Sequence, residues 1–152
     1  MQEITSFTDK FRFLSNFYPA PVEFEVAVYP TVEHAYQAAK TQDPTIRAEI
    51  CNAPTPGKAK RMGFAIKLRE NWTEINGEIM LELLYKKFNI PALGELLLNT
   101  GDAQLIEGND WGDTYWGKVR GEDGKWEGSN LLGKLLELVR EDMRQLYSTT
   151  IH

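Results

Sequence analysis

The sequence has little that could bind a metal or enter a membrane: it contains one cysteine, two histidines and no long apolar run. Cys51 alone cannot form an internal disulfide, and with only His34 and His152 the chain has no cluster of zinc-ligand spacing. The apolar runs fall far short of the ~18 residues of a membrane span, and the N-terminal residues lack the basic and apolar regions of a signal peptide. We therefore expect no metal or other cofactor, no membrane partner and a cytoplasmic location.

Positive charge is in deficit, with 17 Lys and Arg residues against 22 Asp and Glu residues and a formal net charge of −5. This balance argues against a function that depends on broad contact with duplex phosphates, although it leaves room for a local basic pocket. The composition, 42% hydrophobic and 26% charged, is typical of a globular protein, and the length suits one domain over residues 1–152.

Capping residues and apolar periodicity predict a helix-rich chain. Thr31, Asp43 and Thr55 each precede a helix-forming segment, and the last two are followed by proline at the first helical position. The predicted helices cover residues 31–40, 44–52, 55–63, 71–88, 93–98 and 129–147, the last with Leu131, Leu135, Leu138 and Val139 on one face. Short strands are predicted over residues 3–7, 22–29, 103–107 and 115–119. Together these elements predict an α+β fold, a helix-rich single domain with a small antiparallel β-sheet.

The first predicted helix carries three polar residues on one face. Glu33, Gln37 and Lys40 are four and three residues apart, so a carboxylate, an amide and an amine point the same way. They suit a reaction site. The same residues are also explained by the helix dipole, which favours Glu33 in the first turn and Lys40 in the last.

Two further polar segments have both a functional and a structural interpretation. Asn16 lies beside Phe17 before a proline-rich turn, where its amide could contact a base or ribose, or could simply form an Asx turn. Gly128 and Gly133 flank a helix start at Asn130, whose backbone N–H groups could cradle a phosphate or belong to an ordinary capped helix. A basic cluster is either a local anion site or a solvated face, and comprises Lys58, Lys60, Arg61, Lys67 and Arg69.

Tryptophan is concentrated in a loop-rich region, which contains three of the four in the chain: Trp111, Trp116 and Trp126. Half-buried indoles are good stacking platforms for a nucleobase or pyrimidine ring, and Asp113 could orient a ribose or activate water. The alternative is a turn aspartate between two strands, with tryptophans packed on the sheet.

Several short motifs occur in order along the chain. They are Phe13–Pro19 (FLSNFYP), Tyr29–Lys40 (YPTVEHAYQAAK), Pro56–Gly63 (PGKAKRMG), Trp72, Lys87–Phe88, Asp113–Gly117 (DTYWG) and Gly128–Gly133 (GSNLLG). As a set they resemble the NADAR family of YbiA-like N-glycosidases, over about residues 7–144. Leu14 departs slightly from the family pattern, where Phe or Trp is also common, and this touches packing more than chemistry.

The resemblance implies an enzyme that hydrolyses the N-glycosidic bond of a ribosyl compound. Family substrates are phosphoribosylamino-pyrimidine intermediates of riboflavin biosynthesis or ADP-ribose attached to guanine. By motif matching, Glu33 corresponds to the essential glutamate, Trp72 to a functional tryptophan and Asp113 with Trp116 to an Asp-x-x-Trp pair. We predict Glu33, Lys40 and Asp113 as catalytic, and we predict as substrate-binding Arg12, Asn16, Phe17, Lys60, Trp72, Trp116 and Asn130.

The chemistry of C1–N cleavage agrees with this assignment. Positive charge builds at the ribosyl C1 atom in the transition state, so a nearby carboxylate such as Glu33 is the first requirement. A second route exists if the Lys40 amine is neutral, attacks C1 and forms a Schiff base. The expected partner is a phosphorylated riboside or ADP-ribosylated guanine, free or within nucleic acid. The alternative function is a non-catalytic sensor of ADP-ribose or a related nucleotide; the oligomeric state is left open.

Overall fold

The computed structural model describes residues 2–151 of the chain. It divides into two compact units, one formed by the N-terminal residues through Ser15 with the chain from Phe88 onward, the other by residues 16–87. Within the described residues, no helix combines the length and apolar character needed to cross a membrane. That residues 1–152 act as a single domain stays a prediction.

The helices and strands alternate irregularly along the chain. A 3-10 helix covers Asp9–Leu14. The α-helices are α1 (Val32–Ala39), α2 (Pro44–Cys51), α3 (Pro56–Gly63), α4 (Trp72–Phe88), α5 (Pro91–Leu98) and α6 (Leu131–Ile151). The strands are β1 (Glu3–Ile4), β2 (Val22–Phe24), β3 (Ala27–Tyr29), β4 (Gln104–Leu105), β5 (Val119–Arg120) and β6 (Trp126–Glu127). The predicted α+β class is confirmed.

Three helices of the second unit begin at the predicted capping residues. The Thr31 hydroxyl accepts the N–H of His34 at 3.1 Å, and Asp43 Oδ1 accepts the N–H of Thr45 at 2.9 Å. Thr55 caps α3 in the same way. Because these caps satisfy N–H groups that the first helical turn leaves unpaired, they set where α1, α2 and α3 begin.

Helix α1 is the centre of the second unit. It packs against α2, α3 and the antiparallel hairpin of β2 and β3, and all eight of its residues are buried. A helix that is buried on every side normally carries apolar residues only, yet α1 contains Glu33, His34 and Gln37. Each of these polar side chains must therefore find a partner inside the protein.

His34 shows how one of them is satisfied. Its Nδ1 atom lies 2.8 Å from the Thr31 hydroxyl, and its Nε2 atom lies 3.0 Å from the carbonyl oxygen of Ala53. A carbonyl can only accept, so Nε2 is the donor to Ala53. The ring thus ties the start of α1 to the segment between α2 and α3.

The first unit has a parallel strand pair and a second hairpin. β1 pairs with β4 in parallel, β5 pairs with β6 antiparallel, and α6 packs against α5 and β4. The prediction of a single antiparallel sheet is wrong in this detail, because the described residues form three separate two-stranded pairs.

The predicted strand over residues 115–119 is also wrong, except for Val119. The Asp113 carboxylate accepts the N–H groups of Tyr115 and Trp116, which turns the chain instead of extending it.

The buried face of α6 differs from the predicted one. Leu132, Leu136 and Val139 are buried, whereas Leu138 is 44% exposed. Gly133 explains this orientation, because a Cβ atom at that position would lie only 1.9 Å from the Leu105 carbonyl oxygen. The face that carries Gly133 is therefore the one that can approach β4.

Replacing His34 tests its structural role. His34→Ala removes the side-chain partner of the Ala53 carbonyl and of the buried Thr31 hydroxyl and opens a cavity, so we expect a loss of about 2–4 kcal/mol in the free energy of unfolding. Urea denaturation followed by circular dichroism measures this loss. The exposed control Glu49→Ala should change stability by no more than ~0.5 kcal/mol. Equal stability of the two variants would contradict the assigned role.

Candidate active site

Glu33 and Gln37 form a buried polar pair on α1. Gln37 Nε2 donates a hydrogen bond to Glu33 Oε1 at 3.1 Å, and the two side chains are 7% and 4% exposed. The four-residue spacing places them one helical turn apart on the same face. The carboxylate thus lies in a shielded environment where an electrostatic interaction with a developing cation is stronger than in water.

Lys40 stands at the C-terminal end of the same helix. Its Nζ atom lies 5.7 Å from the centre of the Tyr36 ring. Burial lowers the pKa of the Lys40 amine; Glu33 opposes this effect and Lys60 of α3 adds to it. A lysine amine whose pKa is lowered is neutral more often at a given pH, and only the neutral amine is a nucleophile.

An aromatic pair lies beside this face. The ring centres of Tyr36 and Trp72 are 5.2 Å apart, tilted by 50°. Trp72 is only 6% exposed, so most of its surface is used for packing. In the second unit the ring of Tyr36 thus links Trp72 to the amine of Lys40.

Three further predicted substrate-binding residues lie in the second unit: Asn16, Phe17 and Lys60. The Asn16 carbonyl accepts the backbone N–H of Glu33 at 3.1 Å, and its Nδ2 atom contacts Met80 Sδ at 3.6 Å. The Asn16 Oδ1 atom is buried and has no hydrogen-bond partner among the described residues. It is therefore suited to accept a hydrogen bond from a ligand hydroxyl or amine. Phe17 is 41% exposed and lies next to Gly57 of α3.

The other predicted site residues lie in the first unit. Asp113 Oδ1 caps the turn described above, and the Asn109 side chain holds that loop by donating to the Asp113 carbonyl at 2.9 Å. The Tyr115 and Trp116 rings meet edge to face with centres 4.9 Å apart. Asp113 is thus a turn aspartate in this structure. A catalytic role for its carboxylate stays a prediction. Arg12 is an exposed residue of the 3-10 helix.

The Asn130 side chain joins the start of α6 to the chain at β4 and just after it. It is 2% exposed, its Nδ2 atom donates to the Leu105 carbonyl at 2.9 Å, and its Oδ1 atom accepts the Glu107 N–H at 3.0 Å. The backbone N–H groups at this helix start donate to carbonyls of residues 114–117; the donors are Ser129, Asn130, Leu131 and Leu132. Interpreting these N–H groups as a phosphate cradle is therefore wrong, because they are already used.

Two of the loop tryptophans line a groove of about 800 Å³ in the first unit. Trp111 is 61% exposed there, and the Arg120 guanidinium lies 4.0 Å above the centre of the Trp126 ring. Trp111 thus presents an exposed indole at this groove, and Arg120 covers one face of Trp126. The use of these indoles as stacking platforms stays a prediction.

The comparisons with known proteins decide the family. Residues 4–144 match the NADAR domain. This chain belongs to the NADAR family. It is 37% identical to N-glycosidase YbiA of Escherichia coli over 141 residues, which cover 91% of this chain and 85% of that protein. It is 39% identical to an N-glycosidase of Nostoc punctiforme over 142 residues, covering 90% and 88% of the two chains.

The structural comparison agrees with the sequence comparisons. The NMR structure of the E. coli protein YbiA superposes with a TM-score of 0.81 at 36% identity, over 97% of this chain and 89% of the other. A riboflavin biosynthesis protein of Vibrio vulnificus is 35% identical over 137 residues, which make up 36% of its length. The predicted enzyme class, an N-glycosyl hydrolase, is confirmed at the level of these NADAR relatives.

Tyr36 and Gly63 are not among the predicted site residues, although both lie at this face. Tyr36 had a usable signal, since it stands three residues after Glu33 and four before Lys40 and so belongs to the same helix face. Gly63 had none, because its contact with Gln37 joins residues far apart in the chain.

The lowered pKa of Lys40 is directly measurable. Reductive methylation with carbon-13 and NMR titration should give Lys40 a pKa below the ordinary value of a lysine. Lys60→Met should raise the Lys40 pKa because it removes a neighbouring positive charge, and Glu33→Gln should lower it because it removes the stabilising carboxylate. Titration of Lys40 at or above the ordinary lysine value would show that burial does not lower its pKa.

Proposed function

We propose that this chain is an N-glycosidase that hydrolyses the C1–N bond of a phosphorylated N-riboside. The observation that carries the proposal is the proximity of the buried Glu33 carboxylate to the half-buried Lys40 amine, whose pKa is lowered by burial. The N-glycosidase names of the NADAR relatives support it. We also propose that residues 1–152 act as one functional domain, since the family match draws on both units.

In the direct route, Glu33 stabilises the cation. As the C1–N bond breaks, its electron pair leaves with the base nitrogen, which takes up a proton, and positive charge spreads over C1 and the ring oxygen. A fixed carboxylate in a shielded site lowers the energy of this state. Water then adds to C1 and loses a proton, giving the free ribosyl sugar. Asn16 Oδ1, which lacks a partner among the described residues, suits a ribose hydroxyl.

In the covalent route, Lys40 is the nucleophile. The neutral Nζ atom forms a bond to C1 while the C1–N electrons leave with the protonated base. As the C1–O4 bond opens, its electron pair stays on O4, which takes up the proton that Nζ loses, and a protonated Schiff base forms between Nζ and C1; water hydrolyses it to the sugar and the free amine. The proximity of Glu33 and Lys60 to Lys40 serves this route, because the first holds positive charge at C1 and the second favours the neutral amine.

The substrate belongs to one of two classes. A phosphoribosylamino-pyrimidine is favoured by the riboflavin biosynthesis names of two NADAR relatives. ADP-ribose linked to guanine, free or within nucleic acid, is the second class. The net charge of −5 speaks against long nucleic-acid contacts. A non-catalytic sensor of ADP-ribose is the competing function.

Removing the carboxylate charge tests the proposal. Glu33→Gln keeps the shape of the side chain but not its charge, so we expect kcat to fall by about a hundredfold or more while the substrate still binds. The assay is mass-resolved chromatography of products after incubation with ADP-ribosyl-guanine, a phosphoribosylamino-pyrimidine, NAD and ADP-ribose.

The matched control is Glu49→Gln, an exposed glutamate of the same unit, which should keep full activity. Release of a base with its ribosyl product by the wild-type protein identifies the substrate class. Binding without turnover in both the wild type and Glu33→Gln would instead establish the sensor function.

Borohydride separates the two chemical routes. If Lys40 forms a Schiff base, borohydride added during turnover reduces it and leaves the protein heavier by the ribosyl group, with Lys40 identified by peptide mass spectrometry. Lys40→Met should abolish trapping, whereas the exposed Lys67→Met should not. Turnover without any trapped adduct would favour direct attack by water.

A further inference from the structure

Gln37 occupies the space above a glycine of the neighbouring helix. A Cβ atom at Gly63 would lie 1.8 Å from Gln37 Oε1 and 2.6 Å from its Cδ atom, so any larger residue would displace the amide. Gly63 is buried at the end of α3 in a helical conformation. The glycine is therefore required by the close approach of α1 and α3 and not by its backbone angles.

The orientation of the Gln37 amide is set by the carboxylate. Its Nε2 atom donates to Glu33 Oε1, while its Oε1 atom is buried with no hydrogen-bond partner among the described residues. The opposite orientation would turn the amide oxygen toward the carboxylate, where both groups can only accept. A buried acceptor without a partner is unfavourable, and an apolar side chain of the same shape would avoid it. The hydrogen bond that the amide donates to Glu33 is what an apolar side chain at this position could not supply.

Gln37 has little freedom to move. Its side chain is 4% exposed and rests against Gly63, so rotation away from Glu33 is blocked on the side of α3. The carboxylate is one helical turn away, and the 3.1 Å hydrogen bond from the amide restricts its movement as well. A charged group aimed in one direction before the substrate arrives needs no reorganisation in the transition state.

We propose that Gln37, braced by Gly63, is a positioning residue that orients the Glu33 carboxylate for the reaction. This inference rests on the proposed function only in taking Glu33 as the group that faces C1. Gln37 acts through Glu33 and does not itself touch the substrate. Gly63 contributes by its lack of a side chain, which lets α3 hold the amide in place.

The first test separates the hydrogen bond from packing. Gln37→Met keeps the length and volume of the side chain but cannot donate, so kcat should fall about tenfold to a hundredfold with KM changed by less than about threefold. A merely structural role would lower the thermal midpoint and leave kcat unchanged in the folded fraction. Wild-type kcat in a folded Gln37→Met protein would overturn the inference. Loss of activity in Glu33→Gln but not in Gln37→Met would overturn it while leaving the proposed function intact.

The second test examines the brace and does not depend on a substrate. Gly63→Ala should lower the thermal midpoint, because its methyl group collides with the Gln37 amide. Adding Gln37→Ala should raise the midpoint of the Gly63→Ala protein, since the collision partner is gone, although each change alone is destabilising. Additive losses would show that the two residues do not press on one another and would overturn the brace.

A spectroscopic measurement covers the case in which a variant does not fold. The side-chain amide signals of Gln37 in a nitrogen-15 correlation spectrum should shift in Glu33→Gln and stay unchanged in the control Glu49→Gln. Unchanged Gln37 signals in Glu33→Gln would mean that the hydrogen bond is not formed in solution, and the inference would fail.

Discussion

The complete burial of α1 is the constraint on which the second unit depends. Because this helix is covered by α2, α3 and the β2–β3 hairpin, none of its polar side chains can rely on water. His34 meets this condition with a hydroxyl and a carbonyl, and Glu33 meets it in part with the Gln37 amide. Burial costs these polar groups their hydration, and it also strengthens their electrostatic interactions. The burial that makes the hydrogen bonds of α1 necessary therefore also strengthens the interaction of Glu33 with a developing cation.

Neighbouring charges modify the effect of burial on the pKa of Lys40. Desolvation lowers the pKa of its amine, the Glu33 carboxylate limits the effect, and Lys60 approaches from α3 as a second positive charge. Gly63 allows α1 and α3 to approach closely at Gln37, and Lys60 stands on the same helix α3.

Local signals predicted the helices well because capping is a property of neighbouring residues. Thr31, Asp43 and Thr55 mark the starts of α1, α2 and α3, and the β2–β3 hairpin falls inside the predicted range 22–29. The shared face of Glu33 and Lys40 follows from helical spacing alone. Tertiary contacts were not predictable in this way: the Asp113 turn replaced a strand, and the contact of Gly133 with β4 rotated α6 so that Leu138 became exposed. The bonds that occupy the helix start at Asn130 likewise come from a distant loop.

We propose the α1 face with Glu33 and Lys40 as the place where the C1–N bond is broken. The most direct measurement is a crystal structure of Glu33→Gln, which should be slow enough to hold the intact riboside. We expect the anomeric carbon to lie within about 4 Å of the amide at position 33 and of Lys40 Nζ, close to the separation of reacting atoms. A riboside bound with its anomeric carbon remote from both groups would contradict this placement of the reaction.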